Sequence, residues 1–258
     1  MRRSRYIISW LFLFFTLGNL VEGQLPAPRL DSIFPMGGKA GGTVDVTLKG
    51  ADLAGEGRLF FNDPGITSEP IGNAVFKVKI AESVSTGSYD LSFGGKDGTT
   101  SPISFAVSNR EEKNTPKEAV NEGNAVLLED NVVVNGIIEP GKAHYYKFPV
   151  RSGGRYFVDC FAERINSRAD ALLVLNDPSG IEVARSRESV GGDPLIEFAP
   201  TIEGEYLLRV SDFLARGGDG YNYRIQLRIG PQIDFVLPLS AQPGETQSFQ
   251  IFGKNRKS

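Results

Sequence analysis

Residues 43–49 read Thr-Val-Asp-Val-Thr-Leu-Lys, with an apolar side chain at every second position. The same alternation continues outward in residues 74–80 (Ala-Val-Phe-Lys-Val-Lys-Ile), and the short runs 87–93 and 101–107 follow. Successive side chains of a strand point to opposite faces of a sheet, so a period of two predicts strands with one buried face. Because Gly, Pro, Asn or Asp bounds each run, residues 24–108 are predicted to form a small antiparallel β-sandwich.

The second block, residues 125–230, consists of about eight further strand-like runs separated by turn residues. They lie near residues 131–138, 143–150, 155–163, 170–176, 181–187, 194–199, 204–211 and 221–229. No 3.6-residue period is sustained after residue 23, so the prediction is an all-β fold of tandem antiparallel sandwiches, the second of jelly-roll type. The almost wholly polar residues 109–124 are interpreted as an inter-domain linker or as an extended lead-in strand.

The most informative feature is an internal repeat. Residues 30–35 (Leu-Asp-Ser-Ile-Phe-Pro) match residues 233–238 (Ile-Asp-Phe-Val-Leu-Pro) at an offset of 203, and the same offset places Gly41 on Gly244. Residues 231–258 therefore look like the start of a second module of the first kind. Two strands cannot bury a face alone, so we expect either a truncated module, which we favour, or strands that dock on the preceding domain.

The N-terminus has the layout of a signal peptide. Arg2, Arg3 and Arg5 precede an apolar run over residues 6–17, and a small residue closes residues 1–23. The apolar run is shorter than the roughly 20 residues of a spanning helix, which favours cleavage over an uncleaved anchor. No second apolar stretch is long enough to cross a membrane. We therefore predict a secreted, periplasmic or cell-surface protein without membrane insertion after signal removal.

The net charge argues against one class of partner. The formal charge of the whole chain is −3, and residues 1–23 carry three arginines and one glutamate, so the mature chain carries −5. Binding to phosphates needs a basic face. We therefore expect no nucleic-acid partner.

Residues for catalysis are scarce. His144 is the only histidine and Cys160 the only cysteine, so no intrachain disulfide forms and common zinc sites lack ligands. A Ser-His-Asp site would have to use His144, which we interpret as a strand residue. A carboxylate pair is the remaining option. Its candidates are Asp159, Glu163, Asp170, Asp193, Glu197 and Asp212. Carboxylates are common on solvated strands, so we predict that the chain is not an enzyme.

A glycine-rich loop at residues 216–220 precedes the last strand of the second block. It is interpreted as a tight loop or, alternatively, as a ligand-binding loop in which Arg216 and Asp219 contact a sugar or a peptide. Tyr221 and Tyr223 share one face of the next strand and complete this candidate set. Exposed tyrosines would form a sugar platform, although we expect core packing for most of them. The candidates are Tyr145, Tyr146, Tyr156, Tyr206, Tyr221 and Tyr223.

Several stretches of the second block carry a family resemblance. They are residues 134–138, 145–148, 170–175, 181–185, 199–206, 209–212 and 216–224. Together they resemble the bacterial pre-peptidase C-terminal (PPC) domain, in the version of long exported proteins of planctomycete-type bacteria. There a PPC domain follows an Ig-like module that opens with a Pro-x-Gly-Gly turn, as residues 35–38 do here. The first block is similar to IPT/TIG-type bacterial Ig-like domains.

This resemblance implies an Ig-like module followed by a jelly-roll-like PPC domain, without catalytic function. It implies an exported binding or structural protein of the cell envelope or extracellular space, with a role in adhesion, targeting or as an accessory. The partner would be an extracellular protein or a polysaccharide. The alternatives are a carbohydrate-binding module accessory to secreted hydrolases, and a fragment of a secreted peptidase or glycosidase.

Calcium is the one cofactor that the resemblance implies. Some family members bind it through an acidic segment that leads into the domain and through an Asp that precedes a pair of aromatic residues. Here the lead-in offers Glu111, Glu112 and Asn114 as implied calcium ligands, with Lys113 between them, and His144 stands at the Asp position. Calcium takes several hard oxygen ligands. A module without metal is therefore the expectation, and calcium the alternative.

Overall fold

The fold is built almost entirely from strands. The computed structural model describes residues 27–53, 57–230 and 232–254, and the predicted signal peptide lies outside them. Within these ranges the only helical elements are two 3-10 turns, Glu122–Asn124 and Glu163–Ile165, so the predicted all-β fold of antiparallel sandwiches is confirmed. In the same residues no helix is long and apolar enough to cross a membrane.

The first module is a sandwich of a four-stranded and a five-stranded sheet. Its strands are β1 (Arg29–Phe34), β2 (Gly37–Lys39), β3 (Thr43–Ala51), β4 (Arg58–Phe61), β5 (Ile66–Gly72), β6 (Val75–Ile80), β7 (Gly87–Gly95), β8 (Gly98–Thr99) and β9 (Ile103–Ser108). One sheet has the order β1-β3-β6-β5, and the other has the order β2-β9-β7-β4 with β8 on β7. Alternate residues such as Val46, Phe76, Leu91 and Phe105 fill the space between the sheets.

The second module is a sandwich of two five-stranded sheets. Its strands are β10 (Glu111–Asn114), β11 (Val126–Leu127), β12 (Val132–Ile137), β13 (Ala143–Val150), β14 (Tyr156–Phe161), β15 (Ala171–Asn176), β16 (Glu182–Ser186), β17 (Leu195–Phe198), β18 (Gly204–Asp212) and β19 (Asn222–Ile229). The sheet orders are β10-β12-β19-β14-β17 and β11-β13-β18-β15-β16. Strands β12 to β19 follow the eight predicted runs, and their inward faces form one core that includes Phe148, Leu173 and Ile225.

The polar segment between the modules contributes a strand of its own. Within residues 109–124, Glu111–Asn114 forms β10, which pairs in parallel with β12. Of the two interpretations of this segment, the extended lead-in strand applies to these four residues. The segment thus belongs to the sheet of the second module that faces the first module.

The C-terminal part forms a hairpin of β20 (Gln232–Leu237) and β21 (Gln250–Lys254). This pair is a separate two-stranded sheet, joined to neither sandwich by strand pairing among the described residues.

Candidate functional site

The four residues predicted to bind a ligand do not form one solvent-facing group. Tyr221 and Tyr223 share a face, as expected, but that face is the core of the second module. Arg216 and Asp219 are exposed, and the Asp219 carboxylate lies 3.6 Å from Lys49 Nζ of the first module. The guanidinium carbon of Arg216 lies 6.0 Å from the centre of the Tyr221 ring. Ligand binding by this set stays a prediction.

A buried polar network holds Tyr223 in place. Its hydroxyl lies 2.5 Å from the hydroxyl of Tyr146 and 2.7 Å from Nδ1 of His144, and Tyr146 lies 2.6 Å from Thr115 Oγ1. Gly136 faces the Tyr223 ring so closely that a Cβ there would lie 2.3 Å from it. The network satisfies hydroxyl groups that would otherwise be costly to bury.

Burial changes the acid–base behaviour of this network. Removal from water raises the pKa of Tyr146 and Tyr223 and lowers the pKa of His144. The thiol of Cys160 is also fully buried, and burial raises its pKa well above the ordinary value. His144 and Cys160 are therefore buried side chains of the second module.

The outward face of β19 meets the first module through polar side chains. Asn222 Nδ2 donates a hydrogen bond of 2.9 Å to the carbonyl of Ile33, and Arg224 Nη1 donates one of 3.3 Å to the carbonyl of Ala106. Arg224 Nη2 also lies 2.7 Å from Glu112 Oε1, and the Arg224 side chain is only 5% exposed. A buried guanidinium without a counter-charge is strongly unfavourable. The carboxylate of Glu112 supplies that counter-charge and so allows Arg224 to be buried at the junction.

Gly37 leaves the space that Arg224 occupies. A Cβ on Gly37 would lie 1.8 Å from Arg224 Nη1 and 2.0 Å from the Ala106 carbonyl oxygen. No side chain fits at such distances, so the Pro-x-Gly-Gly turn of residues 35–38 is a docking feature of the junction as well as a turn.

Apolar contacts complete the junction. Ile165, from the 3-10 turn Glu163–Ile165, is buried in the core cluster of the first module, and Phe161 packs against that cluster. The next residue, Asn166, has a left-handed backbone (φ 61°), and its Oδ1 accepts a hydrogen bond of 2.8 Å from the Ser104 backbone N–H. The second module therefore supplies part of the first module's core.

A cleft of about 490 Å³ lies beside the junction. Its lining includes Ser108 and Arg110 on one side and Phe161 and Gln226 on the other. Arg110 is half-buried, and its Nη1 donates a long hydrogen bond of 3.5 Å to the carbonyl of Leu227. Ligand pockets are frequent at domain interfaces, and this cleft mixes apolar surface with hydrogen-bonding groups.

Five of the six carboxylates considered for a catalytic pair are engaged in the fold, and the sixth, Glu163, is exposed. Arginines pair with four of them: Asp159 and Asp193 with Arg164, Asp170 with Arg187, and Glu197 with Arg155. Asp212 accepts hydrogen bonds from the backbone N–H groups of Leu214 and Arg216, at 3.1 and 2.9 Å, and shapes the glycine-rich loop. These groups act as anchors of turns and sheets.

The lead-in strand places the implied calcium ligands at the same junction. Glu112 Oε1 accepts from Arg224 and from Ser108 Oγ (2.9 Å), and its Oε2 accepts from Asn135 Nδ2 (3.0 Å). Glu111 pairs with Lys39. Both carboxylates therefore already have cationic partners.

Calcium needs six to eight oxygen ligands and excess negative charge. Around Glu111, Glu112 and Asn114, the side-chain oxygen that is buried without a hydrogen-bond partner is Asn135 Oδ1. Among the described residues no group of three or more His, Cys, Asp or Glu side chains could hold a metal ion. This arrangement does not fit calcium, the alternative that the resemblance raised, and a calcium titration tests it.

No protein-family model and no curated protein matches this chain. Similar solved structures include the pre-peptidase C-terminal domain of Bacillus anthracis collagenase, with 18% identity, 47% of this chain and 100% of that chain covered, and a TM-score of 0.32. The Aeromonas hydrophila PliG, a periplasmic inhibitor of g-type lysozyme, has 15% identity, covers 46% of this chain and 98% of its own, and has a TM-score of 0.34.

The SGBP-B protein of a Bacteroides ovatus mixed-linkage glucan utilization locus, in complex with a heptasaccharide, has 12% identity, coverages of 79% and 75%, and a TM-score of 0.29. At TM-scores of 0.29 to 0.34 these likenesses carry no argument about the fold, the ligand or the activity of this chain.

Sequence reasoning missed the residues that join the modules. Asn222, Arg224 and Asn166 stand in ordinary alternating or turn contexts, and nothing local distinguishes them from solvated residues. A signal was present in β19, where polar side chains alternate with Tyr223 and Ile225 and so predict a polar outward face. That this face is covered by another module is not encoded in the alternation.

Proposed function

We propose that the chain is a non-catalytic, exported binding or structural protein in which an Ig-like module and a PPC-like module form one rigid unit. Its role would be adhesion, targeting or spacing at the cell envelope or outside the cell, with an extracellular protein or polysaccharide as partner. The proposal rests on the chain's own contacts, above all on the junction between its modules.

The observation that carries this proposal is the shared core. Ile165 of the second module is 3% exposed because it lies among the core residues of the first. Domains joined by a small polar contact normally move relative to each other. Here the buried side chain of Ile165, the ion pair of Arg224 with Glu112, and side-chain hydrogen bonds from Asn222 and Arg224 to backbone carbonyls act together. This combination favours a fixed relative orientation.

The carbohydrate-binding alternative requires a row of exposed, coplanar tyrosines. Five of the six candidate tyrosines are buried, and Tyr145 is half-buried. The cleft beside Arg110 is the better candidate for a small polar ligand. A glycan array probed with residues 24–258, with and without calcium, tests this alternative. The alternative requires that the chain bind a glycan and that an Arg110→Ala or Tyr145→Ala variant lose this binding.

Small-angle X-ray scattering on residues 24–258 tests the rigid unit. We expect the data to fit a single arrangement of the two modules. Ile165→Asp places a charge in the shared core, so its scattering should require an ensemble of module orientations while circular dichroism still reports folded sheets. Ile181→Asp is the matched control, because Ile181 is 62% exposed and lies just before β16.

The proposal fails if the unmodified chain already requires a broad ensemble of orientations. It also fails if Ile165→Asp scatters like the Ile181→Asp control.

A further inference from the structure

The cleft beside the junction has an unbalanced charge. Its described lining contains three arginines, Arg110, Arg164 and Arg224, and no aspartate or glutamate. The ion pairs already described for Arg164 and Arg224 join them to carboxylates outside the lining. Arg110 forms no ion pair with any residue that the structure describes, and its hydrogen bond is the long one to Leu227. The cleft therefore carries one positive charge that a ligand can neutralise.

The guanidinium of Arg110 has donors to spare. An arginine carries five N–H donors in a planar fork, and the bond to the Leu227 carbonyl uses one of them. In the described part of the chain, the buried side-chain nitrogen and oxygen atoms without a partner are Asn135 Oδ1 and Arg228 Nε. The remaining nitrogens of Arg110 are thus open to solvent. Such a fork matches the two oxygens of a carboxylate.

Apolar side chains lie beside this charge. Val133 is 4% exposed and lines the cleft, yet it belongs to the core cluster of neither module. Phe161 also lines the cleft, and the guanidinium carbon of Arg164 lies 4.0 Å from the centre of its ring. At about 490 Å³ the cleft has the size of a small-molecule site. A ligand with an apolar group next to its anionic end would contact both kinds of surface.

The first module leaves its side of the cleft open. Thr86, Gly87 and Ser88 lie at the start of β7, line the cleft and are exposed. A Cβ on Gly87 would have no neighbouring atom within 4 Å. This side therefore offers free space together with two hydroxyl groups, which can bond the amide groups of a peptide.

We propose that the cleft binds the C-terminal carboxylate of a peptide whose last side chain is apolar. Arg110 pairs with the carboxylate, and Val133 and Phe161 contact the side chain. An acidic sugar carries the same carboxylate but would place hydroxyl groups against these two residues, so the cleft favours a peptide. The inference rests on the proposed binding function and its rigid unit, because both modules line the cleft.

An NMR titration of residues 24–258 with N-acetyl-leucine tests the proposal, and N-acetyl-leucinamide is the matched ligand without a carboxylate. We expect saturable shifts at Gly87 and Arg110 and a dissociation constant of about 1 mM, as suits so small a ligand. The amide should bind at least about tenfold more weakly, because it cannot form the charge-assisted pair. Glucuronate, the acidic-sugar probe, should bind more weakly than N-acetyl-leucine.

Two variants locate the binding. Arg110→Gln should weaken N-acetyl-leucine binding at least about tenfold, whereas Arg151→Gln, at an exposed arginine outside the lining, should not change it. Gly87→Trp fills the open side from the other module and should also weaken binding. It keeps the test decisive if circular dichroism shows that Arg110→Gln does not fold.

The proposal is overturned if N-acetyl-leucine does not bind, if its amide binds equally well, or if glucuronate binds more tightly. It is also overturned if a folded Arg110→Gln variant binds like Arg151→Gln, or if Gly87→Trp leaves binding unchanged. Scattering that fits one arrangement of a chain that binds no carboxylate would overturn the ligand alone and leave the rigid unit standing.

Discussion

The first and last hairpins of this chain share one register and have opposite environments. The pair β1–β3 lies under a second sheet and beside β6, while the apolar side chains of β20–β21 such as Ile233 are exposed. This comparison shows that the alternation of apolar and polar residues, together with the turn residues, fixes which side chains face inward. Whether those side chains are buried depends on strands that are distant in sequence.

A single position shows the same contrast. Gly37, in β2 between the two strands of the first hairpin, falls on Ser240, between the two strands of the second, at the offset of 203. Only the first copy receives Arg224 from a neighbouring module, and only there would a Cβ collide. Ser240 is exposed. The glycine is thus required twice, by the Ala106 carbonyl oxygen of its own module and by the docked Arg224.

The largest expected effect follows from exchanging these two residues. Gly37→Ser would place a Cβ against both the Ala106 carbonyl oxygen and Arg224 Nη1. Displacing Arg224 would separate it from Glu112, and breaking a buried ion pair costs about 3–5 kcal/mol. Urea unfolding should show a loss of at least that size. Ser240→Gly is the control, with a change within about 0.5 kcal/mol. Equal effects of the two substitutions would contradict the contrast.

The next effect compares matched apolar residues. Leu30→Ala removes buried methyl groups from the first core and should cost about 2–4 kcal/mol in unfolding free energy. Its counterpart Ile233→Ala should cost less than about 0.5 kcal/mol, because the side chain is already exposed. A cost for Ile233→Ala close to that of Leu30→Ala would show that the second hairpin is covered.

A smaller, pH-dependent effect tests the buried network of the second module. Burial lowers the pKa of His144, with Glu139 raising it and Lys142 lowering it to lesser degrees. The unfolded chain then binds the proton more readily, so this stabilisation is complete above about pH 6.5 and is lost as pH falls towards the folded-state pKa.

Melting temperatures measured between pH 6.5 and 5 should therefore fall with pH. His144→Gln should flatten that slope, since glutamine does not titrate. A slope that persists unchanged in His144→Gln would assign the effect to other groups.

The smallest expected effect concerns calcium. Because the carboxylates of Glu111 and Glu112 pair with Lys39 and Arg224, millimolar calcium should leave the melting temperature within about 1 °C of the value in EDTA. A calcium-dependent rise in melting temperature that disappears in Asn114→Ala would support the alternative that the chain binds calcium.

Much of this fold could be predicted from sequence, for identifiable reasons. The runs at residues 43–49 and 74–80 alternate cleanly, and β3 and β6 form there. The repeat at residues 233–238 led to the second hairpin. By contrast, β11 was missed and β10 was only one of two interpretations of its segment, because Val-Leu and Glu-Glu-Lys-Asn are too short or too polar to carry a period.

The junction could not be predicted, because side-chain alternation does not say what covers a face. Arg224 and Arg228 stand at equivalent positions of β19, yet only Arg224 reaches the first module's Ala106. The shared face of Tyr221 and Tyr223 was predicted correctly, but whether it was the core or a ligand platform depended on partners such as His144 and Tyr146.

Native-state amide hydrogen exchange tests the central claim most directly: that the two sandwiches form one unit and the C-terminal hairpin lies outside it. Amides of β3 and β19 should exchange with the same free energy, that of global unfolding, while amides of β21 exchange at least about 1,000-fold faster. Different free energies for β3 and β19, or equal protection of β3 and β21, would contradict this account.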